Sequence, residues 1–597
     1  MKTSQENKEH STGGAFLIHS AKGSNSPGSL FSEEEEMVLG SVKEFIQREV
    51  QPLAEEMEHQ KEHSRSVSLL EKAGELGLLG LGISEEYGGM TVSFTTSLRV
   101  TEEVGRVSEF SPTFGVQTSI GIAPILFYGS EVQKQRYLPK LVSGEWKSCY
   151  CLTEPDAGSD ANSGKTRATP VEDGAAYLLN GQKMWITNSG FANIFIVFAK
   201  VEDDRNLSAF IVEKDFGGIS LGEEERKMGI KGSSTRQVFF NEVRLPVENM
   251  LGKREEGFKI ALNVLNGGRI KLGAGAIGTS KTAFDLAVQY AIDRKQFGSS
   301  ISSFGAIQYK LAQMAVRIFA LEAATYRTGQ FIDEKMAALE AEGFSAEKAE
   351  VASVSAYGIE CAILKVFGSE CLALVVDEGV QIFGGMGFSE DAPMARLYRN
   401  ARITRIYEGT NEINRMLIVD MLLKKAMTGE LELLQAAKQL QVELNSNPTE
   451  RKLAGGGPKA AFAILEDLKK AALIIVDAAA KRLGKKLKEE QEVLMHISDM
   501  IIQVYVLEAV LIKAENLRTN GEEKAPEHIA DIRRVFLYES AEKIRQAGQE
   551  AILSFAEGEE CSLLMKGLKG FTEAHAFNIK DARRRIARAM IAEGKYV

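Results

Sequence analysis

Between His63 and His496 the chain has no histidine, although seven occur among its 597 residues. A stretch that long must hold most of the core, so a histidine general base, a Ser-His-Asp triad and a histidine metal site are excluded from it. Chemistry there falls to carboxylates, lysine, tyrosine or a cofactor. Cysteine is scarce as well: five residues, with Cys149 and Cys151 flanking one tyrosine in what reads as a strand. An odd count in that arrangement suggests neither a disulfide framework nor a zinc site, and predicts reduced thiols. Long apolar runs are missing, the best candidates being broken by Lys, Glu, Asp or Gly within a few turns, so no membrane-spanning helix is expected. An excess of basic charge is missing too. A formal net charge of -10 and a pI near 5.6 argue against a nucleic-acid partner.

What is present reads as a folded protein of several domains, 44% hydrophobic and 26% charged. Residues 1–30 are polar and rich in Ser, Gly and Lys. Glu6, Glu9 and the short patch Phe16-Leu17-Ile18 make a poor signal or transit peptide, so a flexible tail on a cytoplasmic protein is expected. Helical spacing over 31–148, as in Met37-Val38 to Phe45-Ile46 and from Leu69 to Leu79, predicts an α domain. The period then changes to that of strands, and 149–256 reads as a β domain. Within it Asn180-Gly181 lies between the apolar runs Ala176 to Leu179 and Met184 to Ile186, which predicts a two-residue hairpin. Ala- and Leu-rich amphipathic segments over 257–427 predict a helix bundle. The remainder, 428–597, reads as an appended helical domain set off by Asn445-Ser446-Asn447-Pro448 and Gly455-Gly456-Gly457-Pro458. The fold class is therefore α+β.

Four segments could carry chemistry. Gly273-Ala274-Gly275-Ala276-Ile277-Gly278 satisfies GxGxxG, with Asp293 downstream, but it follows no strand and lies in an Ala-rich helix, where small residues permit close packing. Cys151 to Asp160 breaks from a strand into a turn of hydroxyls and glycine that can offer N–H groups to a polar ring edge or phosphate, or be an ordinary Asx/Ser turn. Gln381-Ile382-Phe383-Gly384-Gly385-Met386-Gly387 allows close backbone approach to a ligand, or a helix cap. Arg399 to Ile413 leads into another helix that Thr410 or Asn411 can cap, with Glu408 in the turn before it.

Together these segments resemble the acyl-CoA dehydrogenase family, because several motifs occur in that family's order: Leu81 to Gly89, Tyr150 to Asp160, Lys183-Met184-Trp185-Ile186-Thr187-Asn188, Arg294-Lys295-Gln296-Phe297-Gly298, Gln381 to Gly387, and Tyr407-Glu408-Gly409-Thr410. The resemblance covers roughly residues 31–425, and the added C-terminal helices look like those of the very-long-chain, dimeric branch. It implies FAD as cofactor. Tyr150, Leu152, Thr153, Gly158 and Ser159 would line the flavin and thioester region, with Trp185, Ile186 and Thr187 against the ring. Arg294, Phe297, Gln381, Gly384 and Gly385 would hold the ADP part across a subunit interface, with Thr410 and Glu412 on the other side, which implies at least a homodimer. Ser159, Arg269, Tyr407 and Gly409 would touch substrate. Glu408 matches the family's usual base. The other position used in some branches is Gly267 or Gly268 here, and neither is an acid.

By that resemblance Glu408 takes the α-proton of a fatty acyl-CoA while the β-hydride passes to the flavin, giving a trans-2-enoyl-CoA, and electrons then go to electron-transfer flavoprotein. Long straight chains and fatty-acid β-oxidation are the expected setting. An acyl-CoA oxidase and a non-catalytic assembly scaffold share the architecture and stand as alternatives. A DNA-binding branch has a basic extension that this acidic chain lacks. The run Lys481 to Lys488 sits on an amphipathic stretch, and by the resemblance the very-long-chain branch uses this region at membranes. Because Glu489 and Glu490 follow at once, a solvated face is the simpler reading, with peripheral contact at the inner face of the membrane at most.

Overall fold

The computed structural model describes residues 12–19, 32–60, 62–445, 457–520, 526–574 and 576–597. The breaker residues 446–456 lie outside these. Helices α1 (Glu33–Phe45), α2 (Ser64–Glu75), α3 (Phe94–Gly105), α4 (Ala123–Tyr128) and α5 (Glu131–Val142) form the first domain. Their starts are legible. Ser32 caps α1 and Ser130 caps α5, each through a reciprocal capping box with Glu35 or Gln133 three residues on.

Eight strands follow: β1 (Ser148–Cys151), β2 (Arg167–Val171), β3 (Ala176–Thr187), β4 (Ile194–Val201), β5 (Ser208–Glu213), β6 (Ile219–Leu221), β7 (Thr235–Pro246) and β8 (Met250–Leu251). They lie in the order β6-β7-β3-β2-β4-β5-β8, with β1 parallel to β4. The hairpin expected at Asn180-Gly181 does not form. β3 runs straight through it, and the pairing with β7 slips by one residue between Leu179 and Gly181. The dipeptide makes a bulge: Gly181 has φ +152°, a Cβ there would meet Thr166 Oγ1 at 2.6 Å, and Asn180 Oδ1 accepts from Glu242 N–H. Local turn chemistry was overridden by two long strands that bury a shared face.

The second α region comprises α6 (Gly257–Asp293), α7 (Gly305–Ala341), α8 (Ala346–Ala356), α9 (Gly358–Phe383), α10 (Pro393–Arg402) and α11 (Asn411–Met427). The GxGxxG segment lies inside α6 and serves packing, as its setting implied: a Cβ at Gly278 would fall 1.9 Å from the Glu102 carbonyl of α3. Helices α12 (Leu433–Asn445), α13 (Pro458–Leu483), α14 (Gln491–Asn520), α15 (Glu527–Phe555), α16 (Gly558–Phe571) and α17 (Ile579–Glu593) complete the chain.

Two expectations need correction. The tail 1–30 is not free throughout. Thr12–His19 is placed, the Phe16 ring lies tilted against Tyr505 of α14 with centroids 4.8 Å apart, and Gly14 N–H donates to the Glu360 carboxylate of α9. A run of three apolar residues too short to signal a helix still suffices to pack against α13 and α14. Helix α14 is long and apolar enough to cross a membrane by length and composition, contrary to the reading of broken runs. Its surface is mostly buried, however, and it shares one continuous apolar core with α6, α7 and α9. The appended helices thus pack on the bundle through a shared core.

Candidate functional site

The site is built where the β domain meets the start of α6 and the loop before α11. Thr410 is the N-cap of α11, its hydroxyl accepting from Ile413 N–H at 3.2 Å. The two residues before it take left-handed backbone conformations, Glu408 at φ +59° and Gly409 at φ +81°. That conformation is unfavourable for a glutamate and persists only where surroundings impose it. They are imposed by Asn414, one turn into α11, whose side-chain amide donates to the carbonyls of Glu408, Gly409 and Thr410 at 3.3, 2.8 and 3.0 Å. Arg269 Nε donates to the Glu408 carbonyl at 3.3 Å, while its Nη1 is held by Asn266 at 2.8 Å.

The Glu408 side chain points at α6, where a Cβ on Gly268 would stand 2.9 Å from its Oε2. Any side chain at 268 would displace the carboxylate. Oε2 is buried and without a hydrogen-bond partner among the described residues, as is the hydroxyl of Tyr150 nearby. Burial pushes the Glu408 carboxyl up to about 7, against the opposing pull of Arg269 and Lys365. Lys365, buried on α9, is itself lowered to about 8 by burial and donates to Asn411 Oδ1 at 2.7 Å. An ionisable acid near neutrality, spared hydrogen bonds and fixed by its own backbone, suits transfer of a proton from a weak carbon acid.

On the β side, the Met184 N–H donates to the Thr153 carbonyl and Lys183 Nζ to the Leu152 carbonyl, joining the Cys151–Asp160 turn to β3. Trp185 stands 54% exposed at φ +62° within the second register shift of β3. Thr153 and Thr187 are partly exposed; Gly158 and Ser159 are exposed. The side chains of Ile186 and Leu152 lie in apolar cores, so it is their main chain that faces the open side. The indole face, the free Tyr150 hydroxyl and the open turn fit a flat heteroaromatic ring with polar edges.

Arg294, Phe297, Gln381, Gly384 and Gly385 are brought together, but elsewhere. Tyr290 of α6 and Phe383 of α9 stack at 4.1 Å, placing the two helix ends side by side. Phe297 is 95% exposed there. At 1.5 Å per residue, this end of α6 is roughly 39 Å from Gly268, farther than one extended FAD reaches. Tyr407 and the Glu412 side chain are exposed near Glu408.

From Gly267 and Gly268 a narrow cleft, part of it open to solvent, runs between α3, α4, α6, α7 and α8. Val92, Phe94, Ile122, Leu126, Val264 and Val354 line much of it. Sequence reading missed this cleft, together with Asn266, Asn414 and Lys365. An asparagine inside a helix, four residues past its cap, is the one local sign that Asn414 serves a loop.

Four family models match the chain: the acyl-CoA dehydrogenase N-terminal domain over residues 32–145, the middle domain over 149–243, and two C-terminal domains over 255–423 and 467–570. A probable acyl-CoA dehydrogenase of Bacillus subtilis (strain 168) is 41% identical, with 95% of each chain covered. The mitochondrial very long-chain specific acyl-CoA dehydrogenase of Rattus norvegicus is 35% identical over 80% of this chain and 75% of that one. Among solved structures, an acyl-CoA dehydrogenase complexed with FAD from Bacillus anthracis superposes with a TM-score of 0.94 at 40% identity, covering 98% of this chain and all of the other.

Proposed function

This chain belongs to the acyl-CoA dehydrogenase family, an FAD-dependent enzyme family, and from that premise we propose that it dehydrogenates long straight-chain fatty acyl-CoA with Glu408 as the base. The observation that carries the reading is the Glu408 carboxyl, uncovered by any partner, raised to about 7 by burial and seated at Gly268, where the cleft opens.

The acyl chain lies in the cleft and brings its α-carbon to Gly268. There Glu408 takes the proton, and the Glu408 N–H, which donates to no described group, polarises the thioester oxygen against the charge that develops on it. Arg269 and Asn414 hold the loop carbonyls back and so aim both groups. FAD, when bound against Trp185 and Thr187, supplies the acceptor for the β-hydride. Electron-transfer flavoprotein is proposed as the next electron carrier and fatty-acid β-oxidation as the setting.

The cluster of Arg294, Phe297, Gln381, Gly384 and Gly385 supports a homodimer, because it stands exposed at the end of α6 far from Gly268 and so is free to meet a second subunit. A Phe297→Ser variant is expected to sediment as a monomer and lose FAD; a dimeric, yellow variant would remove that reading. The lysines of 481–488 are exposed while Leu487 is buried, which supports a solvated face in a cytoplasmic protein, with lipid contact no more than electrostatic.

The test is anaerobic titration of the yellow protein with palmitoyl-CoA, beside Glu408→Gln. Bleaching in the parent and none in the variant is expected. A parent that binds FAD yet stays oxidised with long, medium and branched acyl-CoA would leave a scaffold role, and rapid oxygen consumption on turnover would indicate an oxidase.

A further inference from the structure

The cleft does not end in hydrocarbon. One turn beyond Gly268 along α6 its wall carries Lys271, and α8 contributes Glu350 to the same wall beside Val351 and Val354. Both side chains are half-buried in that wall, and each feels the other's charge, yet they close no ion pair and make no hydrogen bond with any described residue. Burial drives Lys271 down and Glu350 up to about 7, each opposed by the other. Two opposite ionisable groups that face one cleft without pairing with each other leave both free to meet a ligand that enters it and displaces water.

The neighbouring hydroxyls are already engaged. Ser97, Thr118 and Ser119 donate to the carbonyls of Phe94, Phe114 and Gly115 in their own helices, and Ser93 donates to Glu35 and Thr96. Asn263, also in the wall, donates its side-chain amide to the Tyr128 hydroxyl at 2.7 Å, which leaves Lys271 as the cleft's charged donor and Glu350 as its charged acceptor. A methylene chain answers neither. A keto oxygen answers Lys271 alone, and a carboxylate answers Lys271 while facing the charge of Glu350. A hydroxyl donates and accepts at once.

We propose that this cleft takes an acyl chain bearing a mid-chain hydroxyl, which donates to the Glu350 carboxylate and accepts from the Lys271 ammonium. The proposal rests on the reading of the cleft as the acyl-CoA site and narrows its substrate class. Three residues of helix separate Gly268 from Lys271, an advance of about 4.5 Å, and the lysine side chain extends farther. The hydroxyl thus falls several carbons beyond the α-carbon.

Binding without turnover is the test: FAD-loaded Glu408→Gln protein, titrated calorimetrically with dodecanoyl-CoA, its positional hydroxy isomers and the dicarboxylic analogue. One mid-chain isomer is expected to bind at least about tenfold tighter than the plain chain, the strength of hydrogen bonds to charged groups. Adding Lys271→Leu with Glu350→Leu removes both charges together, so neither is left alone, and FAD content and Tm report whether the fold survives. In that protein the plain chain should bind best. A plain chain or a dicarboxylic chain that matches every hydroxy isomer in the charged protein would overturn the proposal, as would a preference that outlives the double substitution. Failure of the parent to bleach with any acyl-CoA would instead overturn the dehydrogenase reading and leave these affinities to decide the binding question separately.

Discussion

Two deeply placed glutamates, Glu408 and Glu322, show how one residue type is turned to opposite ends. Glu322 on α7 lies at the seam between the bundle and the appended helices. It pairs with Lys281 of α6, with Lys513 of α14 at 3.0 Å and with the Tyr596 hydroxyl at 2.8 Å. Burial pushes its carboxyl up, but Lys513, Lys281 and Tyr596 outweigh that and hold it well below the usual carboxylate range. Glu408 has Arg269 and Lys365 close enough to feel but no hydrogen bond to Oε2, so burial wins and the carboxyl rises to about 7. Partners make the first a charged clamp, and their absence makes the second a base.

The comparison can be broken by substitution. The largest effect is expected from Glu408→Gln, which should slow flavin reduction by at least about a thousandfold, in the range of a lost general base, with FAD retained; stopped-flow absorbance measures it. Next, Gly268→Ala should cost about a hundredfold in the same rate, because the new methyl stands 2.9 Å from Oε2 and a shift of that order misaligns the reacting groups. An unchanged rate would show that the carboxylate does not need its place beside α6.

Stability should answer the same substitution with opposite signs. Glu322→Gln takes the carboxylate from Lys513 while Lys281 keeps Glu102, and should cost about 1.5–3 kcal/mol, the range of a hydrogen bond to a charged group, read as a fall in Tm with little change in rate. Glu408→Gln should raise Tm above pH 7. A folded pKa raised from 4.5 to about 7 means that stability is fully present below pH 4.5 and declines as pH rises to 7, and glutamine removes that loss. For Glu322, whose folded pKa is depressed, the contribution is present above the unfolded value and is lost as pH falls through the folded one. The smallest effect to resolve is the pH profile: kcat/KM should rise tenfold per unit below about pH 7 and level off above it, as the base ionises. A flat profile from pH 5 to 9 would separate Glu408 from the proton transfer.

Much of this could be read from the chain alone. Periods of 3.6 and 2, cap residues such as Ser32, Ser130 and Thr410, and the histidine-free span marked out the order of helical and strand regions and left the chemistry to carboxylates, lysine, tyrosine or a cofactor, because each depends on neighbours in sequence. The bulge at Gly181, the seating of Phe16 on Tyr505, the burial of α14 and the distance between the Phe297 cluster and Glu408 depend on which surfaces meet. So does the character of each acid. The sequence names Glu322 and Glu408 alike; only the tertiary structure decides that one meets two lysines and the other an empty glycine, since desolvation and hydrogen bonding are set by groups distant in the chain.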